Sequence, residues 1–312
     1  MRVIHSYHNT PVADRGAAVA IGNFDGVHLG HQSVIDIART TAEQTNAPLG
    51  VLTFEPHPRA YFAPQTAAFR LMSPAARRNR LAKLGVTHLY ELPFDAALAA
   101  LTPEDFARDV ISHGLGLSHV VIGQDFCFGK ARAGTAEDLI RFGDTFGFGV
   151  SIAPLLETQG AQVSSTAIRT ALSEGRPQDA ATMLGHWHRL DGAVLHGEKR
   201  GRELGFPTAN MDISGLHLPK FGVYAVQVDV LTGPHAGHYQ GAASLGTRPM
   251  FGENTPNLES FIFDFKGDLY GETLSVALVE YLRPEETFAS LEAFIAQMHA
   301  DCDRARALLS AL

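Results

Sequence analysis

Apolar residues in the first half of the chain fall into two alternating spacings. Short runs, AAVAIG, PLGVLTF, THLYELP, SHVVIG and FGVSIAPLL, have the length and β-branched content of buried strands. Between them lie longer stretches of helical periodicity: HQSVIDIARTTAEQ, the basic SPAARRNRLAKLG, PEDFARDVISHGL, TAEDLIRFGDTFG and VSSTAIRTALSEG. Strand and helix in regular alternation predict a mostly parallel, right-handed α/β sheet.

After a short helical connection, SEGRPQDAATMLG followed by GHWHRL, the pattern changes. HRLDGAVLHG, GVYAVQVDV, HYQGAASLG, LESFIFDF and LSVALVEYL are strands at short spacing with turn residues between them. No helix intervenes until TFASLEAFIAQMHADCDRARALL, so this half is predicted to be an all-β barrel or sandwich with one C-terminal helix. The boundary falls near residue 186.

In parallel open sheets ligands gather at the C-terminal ends of strands, which directs attention to three loops. The first is GNFDGVHLGH, where AAVAIG breaks at Gly22 and a helix resumes by His31. A strand, a loop carrying Asp25 and Gly26, and a helix start are the parts of a phosphate site: amides approach the ligand and the helix N-terminus offers free N–H groups. His28 and His31 are three residues apart. In a helix starting near His28, both imidazoles project from its first turn toward the anion. The second loop, after Phe54, holds His57, Pro58 and Phe62 as candidate pocket walls. The third is QDFCFGKARAG; its spacing rejects a Walker A reading, because there is one residue too many before Gly129-Lys130 and no hydroxyl follows the lysine. Further on, Ser164, Ser165 and Thr166 can cap a helix with Arg169 one turn along it, which makes a second possible anion clamp. On composition alone Phe54, Phe62 and Phe128 read as packing residues.

Composition narrows the class. A chain of 312 residues with 45% hydrophobic and 19% charged residues is long enough for two domains. No apolar run approaches the roughly 20 residues that span a bilayer, and MRVIHSYHN lacks a signal-peptide core, so a cytoplasmic protein is expected. Cys127 and Cys302 form no CxxC pair and are expected to be reduced. A net charge of −8 argues against general affinity for nucleic acid or an anionic membrane. The oligomeric state is left open.

The β half carries HGEKRGRELGFPTANMDI, too glycine-rich and charged for a strand. Gly197, Gly201 and Gly205, interleaved with Lys199, Arg200 and Arg202, suit a flap over nucleotide phosphates. Pro207 precedes Thr208 and Asn210, neutral oxygen ligands of the kind a hard cation such as Mg²⁺ accepts. In LESFIFDF, strand alternation puts Glu259, Phe261 and Phe263 on one face and Ser260 and Ile262 on the other. A carboxylate among aromatics is a candidate general base with a raised pKa.

GNFDGVHLGH, TFEPHP, GQDFCFG, VSSTAIR, HGEKRGRELGFPTAN, GVYAV, SLGTRPMF, LESFIFDFKGDLYGE and LRPEETF occur here in order. Together they resemble the bacterial bifunctional riboflavin kinase and FMN adenylyltransferase family, the FAD synthetases, over nearly the whole chain. The resemblance implies an HxGH-type nucleotidyltransferase domain with a Rossmann-like parallel sheet over residues 1–185. It also implies a split-barrel kinase domain with a C-terminal helix over 186–312. In the first, Gly22, Phe24, Asp25, Gly26, Ser164, Ser165 and Thr166 would bind ATP. His28, His31 and Arg169 would act on its phosphates as an FMN oxygen attacks the α-phosphorus. Phe54, His57, Pro58, Phe62, Asp125 and Phe128 would contact the flavin. In the second, Gly197, Lys199, Gly201, Arg202, Gly205 and Pro207 would hold ATP, and Thr208 and Asn210 would hold Mg²⁺. Glu259 would take the proton of the riboflavin 5′-hydroxyl as it attacks the γ-phosphorus. Three residues depart from the pattern. Ser244 stands where many members have Asn, Met250 where many have Thr, and Cys127 where a polar or basic residue is common. A protein that binds or delivers flavin without turnover is the rival from another class.

Overall fold

The computed structural model describes residues 1–158, 161–196, 205–250 and 253–312. The chain divides into two compact units: Met1–Thr66 with Pro74–Ser164, and Ala67–Ser73 with Ser165–Leu312.

The first unit is built on a six-stranded parallel sheet. Its strands are β1 (Arg2–Ile4), β2 (Ala18–Ile21), β3 (Leu49–Glu55), β4 (His88–Pro93), β5 (His119–Gly123) and β6 (Gly149–Ala153). Their spatial order is β1-β4-β3-β2-β5-β6, so the sequence order reverses between β2 and β5. At such a switch point the loops leaving neighbouring strands diverge and open a crevice. Every residue of β2 is buried, as a central parallel strand covered on both faces requires. β1 is an edge strand too short to stand out in the sequence.

Helix α1 (Leu29–Thr45) buries Val34, Ile35, Ala38 and Ala42, one apolar stripe that packs across β2 and β5. Two short helices follow on the β3–β4 crossover, α2 (Pro58–Phe62) and α3 (Pro74–Lys83), and then α4 (Ala96–Ala100). The segment expected as one helix over PEDFARDVISHGL begins as α5 (Pro103–Asp105) and continues as a π-helical stretch, Phe106–Leu115, before Gly116 ends it in the left-handed region. α6 (Ala136–Phe146) starts on a capping box between Thr135 and Asp138. A two-stranded ribbon, β7 (Glu157–Thr158) with β8 (Ala161–Gln162), follows β6.

The second unit is a closed six-stranded barrel of order β10-β13-β12-β11-β14-β9. It comprises β9 (Arg189–Leu195), β10 (Thr208–Asp212), β11 (Gly222–Val230), β12 (Gly237–Met250), β13 (Glu253–Ile262) and β14 (Thr273–Arg283). β10 is the strand that the charged, glycine-rich context conceals. It pairs with β13 on one side and β9 on the other and closes the barrel, which removes the sheet's edges. Leu190, Met211, Val226, Leu245, Leu258 and Val276 fill the interior. Outside, α9 (Leu291–Leu309), capped by the Ser290 hydroxyl, packs on Ala225, Ala242, Phe263 and Leu282 through Ala305 and Leu309. Helices α7 (Ser165–Ser173) and α8 (Pro177–Leu184) also belong to this unit.

A strap of seven residues, Ala67–Ser73, joins it from the first half of the chain. The Phe69 carbonyl accepts Arg169 Nε at 2.7 Å, the Arg70 carbonyl accepts the His217 amide at 2.7 Å, and Leu71 O lies 3.1 Å from His188 Nε2. No described helix is long and apolar enough to cross a membrane.

Candidate active sites

In the first unit, β2 ends at Ile21 and the chain turns through Gly22–Val27 into α1. Gly26 sits at φ +87°, open to glycine at no steric cost, but Phe24 at +51° and Val27 at +44° are held there against their side chains. Such residues cost of order 1–3 kcal/mol each and persist only where packing over-determines them. Here Phe24 and Val27 are both buried, and Gln32 Nε2 donates to the Val27 carbonyl at 2.9 Å.

His28 is the N-cap of α1. Its Nδ1 accepts the His31 amide at 3.2 Å, so a neutral His28 carries its proton on Nε2. The His28 and His31 rings stack with centroids 3.7 Å apart and planes 17° from parallel. Phe24 packs on the other ring, 5.1 Å from His31. Gly30 is the third member of this arrangement: a Cβ there would stand 3.2 Å from the His28 ring. A side chain at Gly30 would therefore crowd the His28 ring of the stacked pair. Surrounding protein, and then the neighbouring His28, push the His31 pKa well below its ordinary value, so His31 is neutral before an anion arrives. The sequence offers two proton-bearing or cationic groups here, and of the stacked pair His31 is uncharged. His31 Nδ1 has no hydrogen-bond partner among the described residues.

The second loop turns at Pro56 into α2, with His57 as its N-cap accepting the Arg59 amide at 3.0 Å and Pro58 at its first position. The three phenylalanines take different places. Phe128 is buried, stacked on Phe126 at 5.7 Å and against Phe106. Phe54 packs partly buried beside Phe94 at 5.7 Å. Phe62 is 68% exposed, edge-on to Tyr61 and Phe94. Asp125 is exposed in the turn after β5, whose end flanks the switch point. Ser164 closes the first unit, whereas Ser165, Thr166 and Arg169 lie on α7 in the second, where the Arg169 guanidinium covers the Phe69 ring at 5.5 Å.

In the second unit, register assembles the polar groups. Asn210 of β10 lies opposite Glu259 of β13, Thr208 opposite Phe261, and Ser244 of β12 flanks Glu259 on the other side. Period-two alternation sends Met211, Leu258 and Ile262 into the barrel core and turns Thr208, Asn210, Asn257, Glu259 and Phe261 to the opposite face. Asn257, which the sequence reading passed over, donates from Nδ2 to Asn210 Oδ1 at 3.1 Å and to Glu259 Oε1 at 3.2 Å. Its signal was there: it stands two positions before Glu259, on the same strand face.

This face opens on a cavity of about 340 Å³ lined by Phe206, Thr208, Ser244, Asn257, Glu259 and Phe261, among others. Its lining also includes Arg283, Asp301 and Cys302. Arg283 Nε and Nη2 both reach Asp301, at 2.9 and 2.8 Å, and Gln297 adds a third donor at 2.9 Å. Burial, and then Asp301, push the Cys302 thiol up to about 11, so it stays protonated. Gly205 is at φ +84° and Pro207 is exposed beside buried Phe206. Gly197, Lys199, Gly201 and Arg202 lie outside the described residues, as does the side chain of Met250.

A half-buried carboxylate next to amides and a hydroxyl, on the wall of a cavity the size of a small-molecule site, suits proton removal from a bound alcohol. A stacked pair of imidazoles at a helix N-terminus suits polyphosphate.

Comparison with known proteins agrees with this division. Residues 10–167 match the FAD synthetase family model and residues 184–309 the riboflavin kinase model. A bifunctional riboflavin kinase/FMN adenylyltransferase of Pseudomonas fluorescens is 39% identical over 99% of this chain and 98% of its own length. The protein of the same description from Escherichia coli K12 is 36% identical over 96% of each. A solved structure described as a macrolide-efflux protein from Streptococcus pneumoniae superposes with a TM-score of 0.85 at 32% identity, covering 97% of this chain and 98% of that one. With both family models matched in order and relatives aligned end to end, the chain belongs to the bifunctional riboflavin kinase/FMN adenylyltransferase family.

Proposed function

We propose that the chain makes FMN from riboflavin in its second half and FAD from FMN in its first, consuming one ATP at each step. The observation that carries this reading is the cluster of Glu259, Asn257, Asn210 and Thr208 at one cavity wall, in the half that matches riboflavin kinases. The functional division follows residues 1–185 and 186–312.

In the kinase step the riboflavin 5′-hydroxyl oxygen attacks the γ-phosphorus of ATP. Glu259 accepts the hydroxyl proton, and ADP leaves. Asn257 holds the carboxylate through Oε1 and fixes the Asn210 amide at the same time. Magnesium is part of the reading. One lone pair of Asn210 Oδ1 is taken by Asn257 and the other is available, and Thr208 offers a second neutral oxygen, a donor set that suits a hard cation. Held by Thr208 and Asn210, the ion would neutralise phosphate charge. The glycine-rich segment from Gly197 to Gly205, with Lys199 and Arg202, is read as the ATP flap.

In the adenylyl step an FMN phosphate oxygen attacks the α-phosphorus of ATP and pyrophosphate leaves. The His28 Nε2–H and the free amides of the α1 N-terminus bind the polyphosphate, and its charge favours a proton on His31. Positioning and charge neutralisation account for the chemistry. Phe62 supplies an exposed aromatic face for a flavin, whereas Phe128 serves from within the core. Gly22, Phe24, Asp25, Gly26, Phe54, His57, Pro58 and Asp125 complete the proposed nucleotide and flavin surround. Ser164, Ser165, Thr166 and Arg169 enter through their motif. The substrates are small molecules, and the expected setting is the cytoplasm.

The test is direct. The purified chain, given riboflavin, ATP and Mg²⁺, should yield FMN and then FAD on resolution of the flavins, with ADP and pyrophosphate released. Flavin binding without ATP consumption would instead identify a flavin-delivery protein.

A further inference from the structure

Beneath the strained Gly22–Val27 turn lies a charged cluster that none of the steps above uses. Arg77 of α3 is 0% exposed and Glu91 of β4 is 1% exposed. Arg77 Nη2 donates to Glu91 Oε1 at 2.8 Å and to Glu55 Oε2 at 3.1 Å. Arg78 pairs with the other oxygen of Glu91. Burial by itself would raise the Glu91 pKa, but hydrogen bonds from Arg78 and Arg77 outweigh it and hold the carboxyl below its ordinary range. Arg77 and Glu91 thus form an ion pair in the interior, flanked by the partly exposed side chains of Arg78 and Glu55, an arrangement that well-packed apolar residues commonly match or exceed in stability. Stability therefore does not explain the cluster.

Its remaining contact does. Arg77 Nη1 donates to the carbonyl of Asn23 at 3.3 Å, and the Thr53 hydroxyl, itself fully buried, donates to the same oxygen at 3.2 Å. That carbonyl belongs to the peptide leading into Phe24, the first of the two residues held at positive φ. Relaxing Phe24 would rotate this peptide and withdraw the oxygen from both donors, stranding a guanidinium N–H where water cannot reach it.

We infer that Arg77, anchored by Glu91 and Glu55, is a positioning residue that locks the Gly22–His28 loop in the conformation that receives ATP phosphates. The inference rests on reading the first half as the adenylyl-transfer site. Arginine suits the task because its planar fork serves two carboxylates and a carbonyl at once, whereas an ammonium cannot span them. The basic helix SPAARRNRLAKLG turns one cation, Arg77, inward for this purpose.

The test uses the full chain and three variants: Arg77→Lys, Arg77→Met and the double Arg77→Met/Glu91→Met. FAD formation from supplied FMN is followed against ATP concentration. FMN formation from riboflavin and the melting temperature are recorded for each protein. For Arg77→Lys we expect the KM for ATP in adenylyl transfer to rise about 10- to 100-fold, the range set by losing one charged hydrogen bond, with riboflavin phosphorylation unchanged. The double variant, which removes the buried charges together, should recover the melting temperature lost by Arg77→Met and still show the raised KM. Wild-type KM in Arg77→Lys, or a double variant that regains both melting temperature and KM, would overturn the inference. If Arg77→Lys loses both activities through misfolding, the double variant decides alone. If the unmodified chain makes no FAD from FMN, the reading of the first half fails instead.

Discussion

Asn257 stands between Asn210 and Glu259 and binds both with one amide nitrogen, at 3.1 and 3.2 Å. It couples the proposed base to the proposed metal ligand across two strands. Asn257→Leu keeps roughly the volume and removes the donor. Riboflavin phosphorylation should fall about 10- to 100-fold, as expected for loss of hydrogen bonds to a charged group, while FAD formation from supplied FMN stays unchanged. Separate steady-state assays of the two reactions check this.

Two further variants should separate the sites in opposite senses. His28→Ala removes both the cap of α1 and one face of the imidazole stack, and should stop FAD formation while FMN still accumulates. Glu259→Gln should slow FMN formation by at least about 100-fold, the usual worth of a general base, and leave FAD formation intact. Loss of both steps in either variant would contradict two independent sites.

Chelation should act on the kinase half. With EDTA in excess, FMN formation should cease and return on addition of magnesium, because Thr208 and Asn210 are neutral oxygens that cannot by themselves offset the phosphate charge. Flavin chromatography before and after restoring the metal provides the measurement.

Stability of the second unit should fall in acid. His188 is buried, and burial lowers its pKa from 6.5 to about 3 despite its hydrogen bond to the Leu71 carbonyl. Below pH 6.5 the unfolded chain takes up a proton that the folded chain refuses until about pH 3. The stabilisation is therefore complete above that window and is lost as pH falls through it, at up to about 1.4 kcal/mol per pH unit. His188→Gln, which cannot titrate, should flatten this limb in urea unfolding curves recorded from pH 7 to 4.

The Arg283–Asp301 pair joins the end of β14 to α9 beside the cavity, with side chains only 14% and 9% exposed. Asp301→Ala leaves the guanidinium only its longer contact to Glu286, at 3.9 Å, and should cost about 3 kcal/mol, read as a lower melting temperature. Loosening that wall should also raise the KM for riboflavin.

Much of this was legible in the linear chain. Strand and helix spacings anticipate both units, and the run FDGVHLGH announces its strand, loop and helix start because helix-start signals are local. The same locality explains the failures. β10 is hidden because charged and glycine residues flank it, and only pairing with β9 and β13 makes TANMD a strand. The π-helical stretch over Phe106–Leu115 shares its apolar periodicity with an ordinary helix. The Ala67–Ser73 strap belongs to a unit that its sequence neighbours on both sides do not share, which no window of sequence reveals.

By itself, the sequence determined the architecture of each half, the order of its motifs and the residue types capable of the chemistry, since these depend on periodicity and short-range spacing. Only the tertiary structure decided which groups meet. Strand register set Asn210 against Glu259 with Asn257 bonded to both, ring packing made His28 and His31 a stacked pair with His31 uncharged, and burial joined Arg77 to Glu91 and to the carbonyl of Asn23. Contacts between residues distant in sequence, and the loss of water around them, are properties of the folded chain alone.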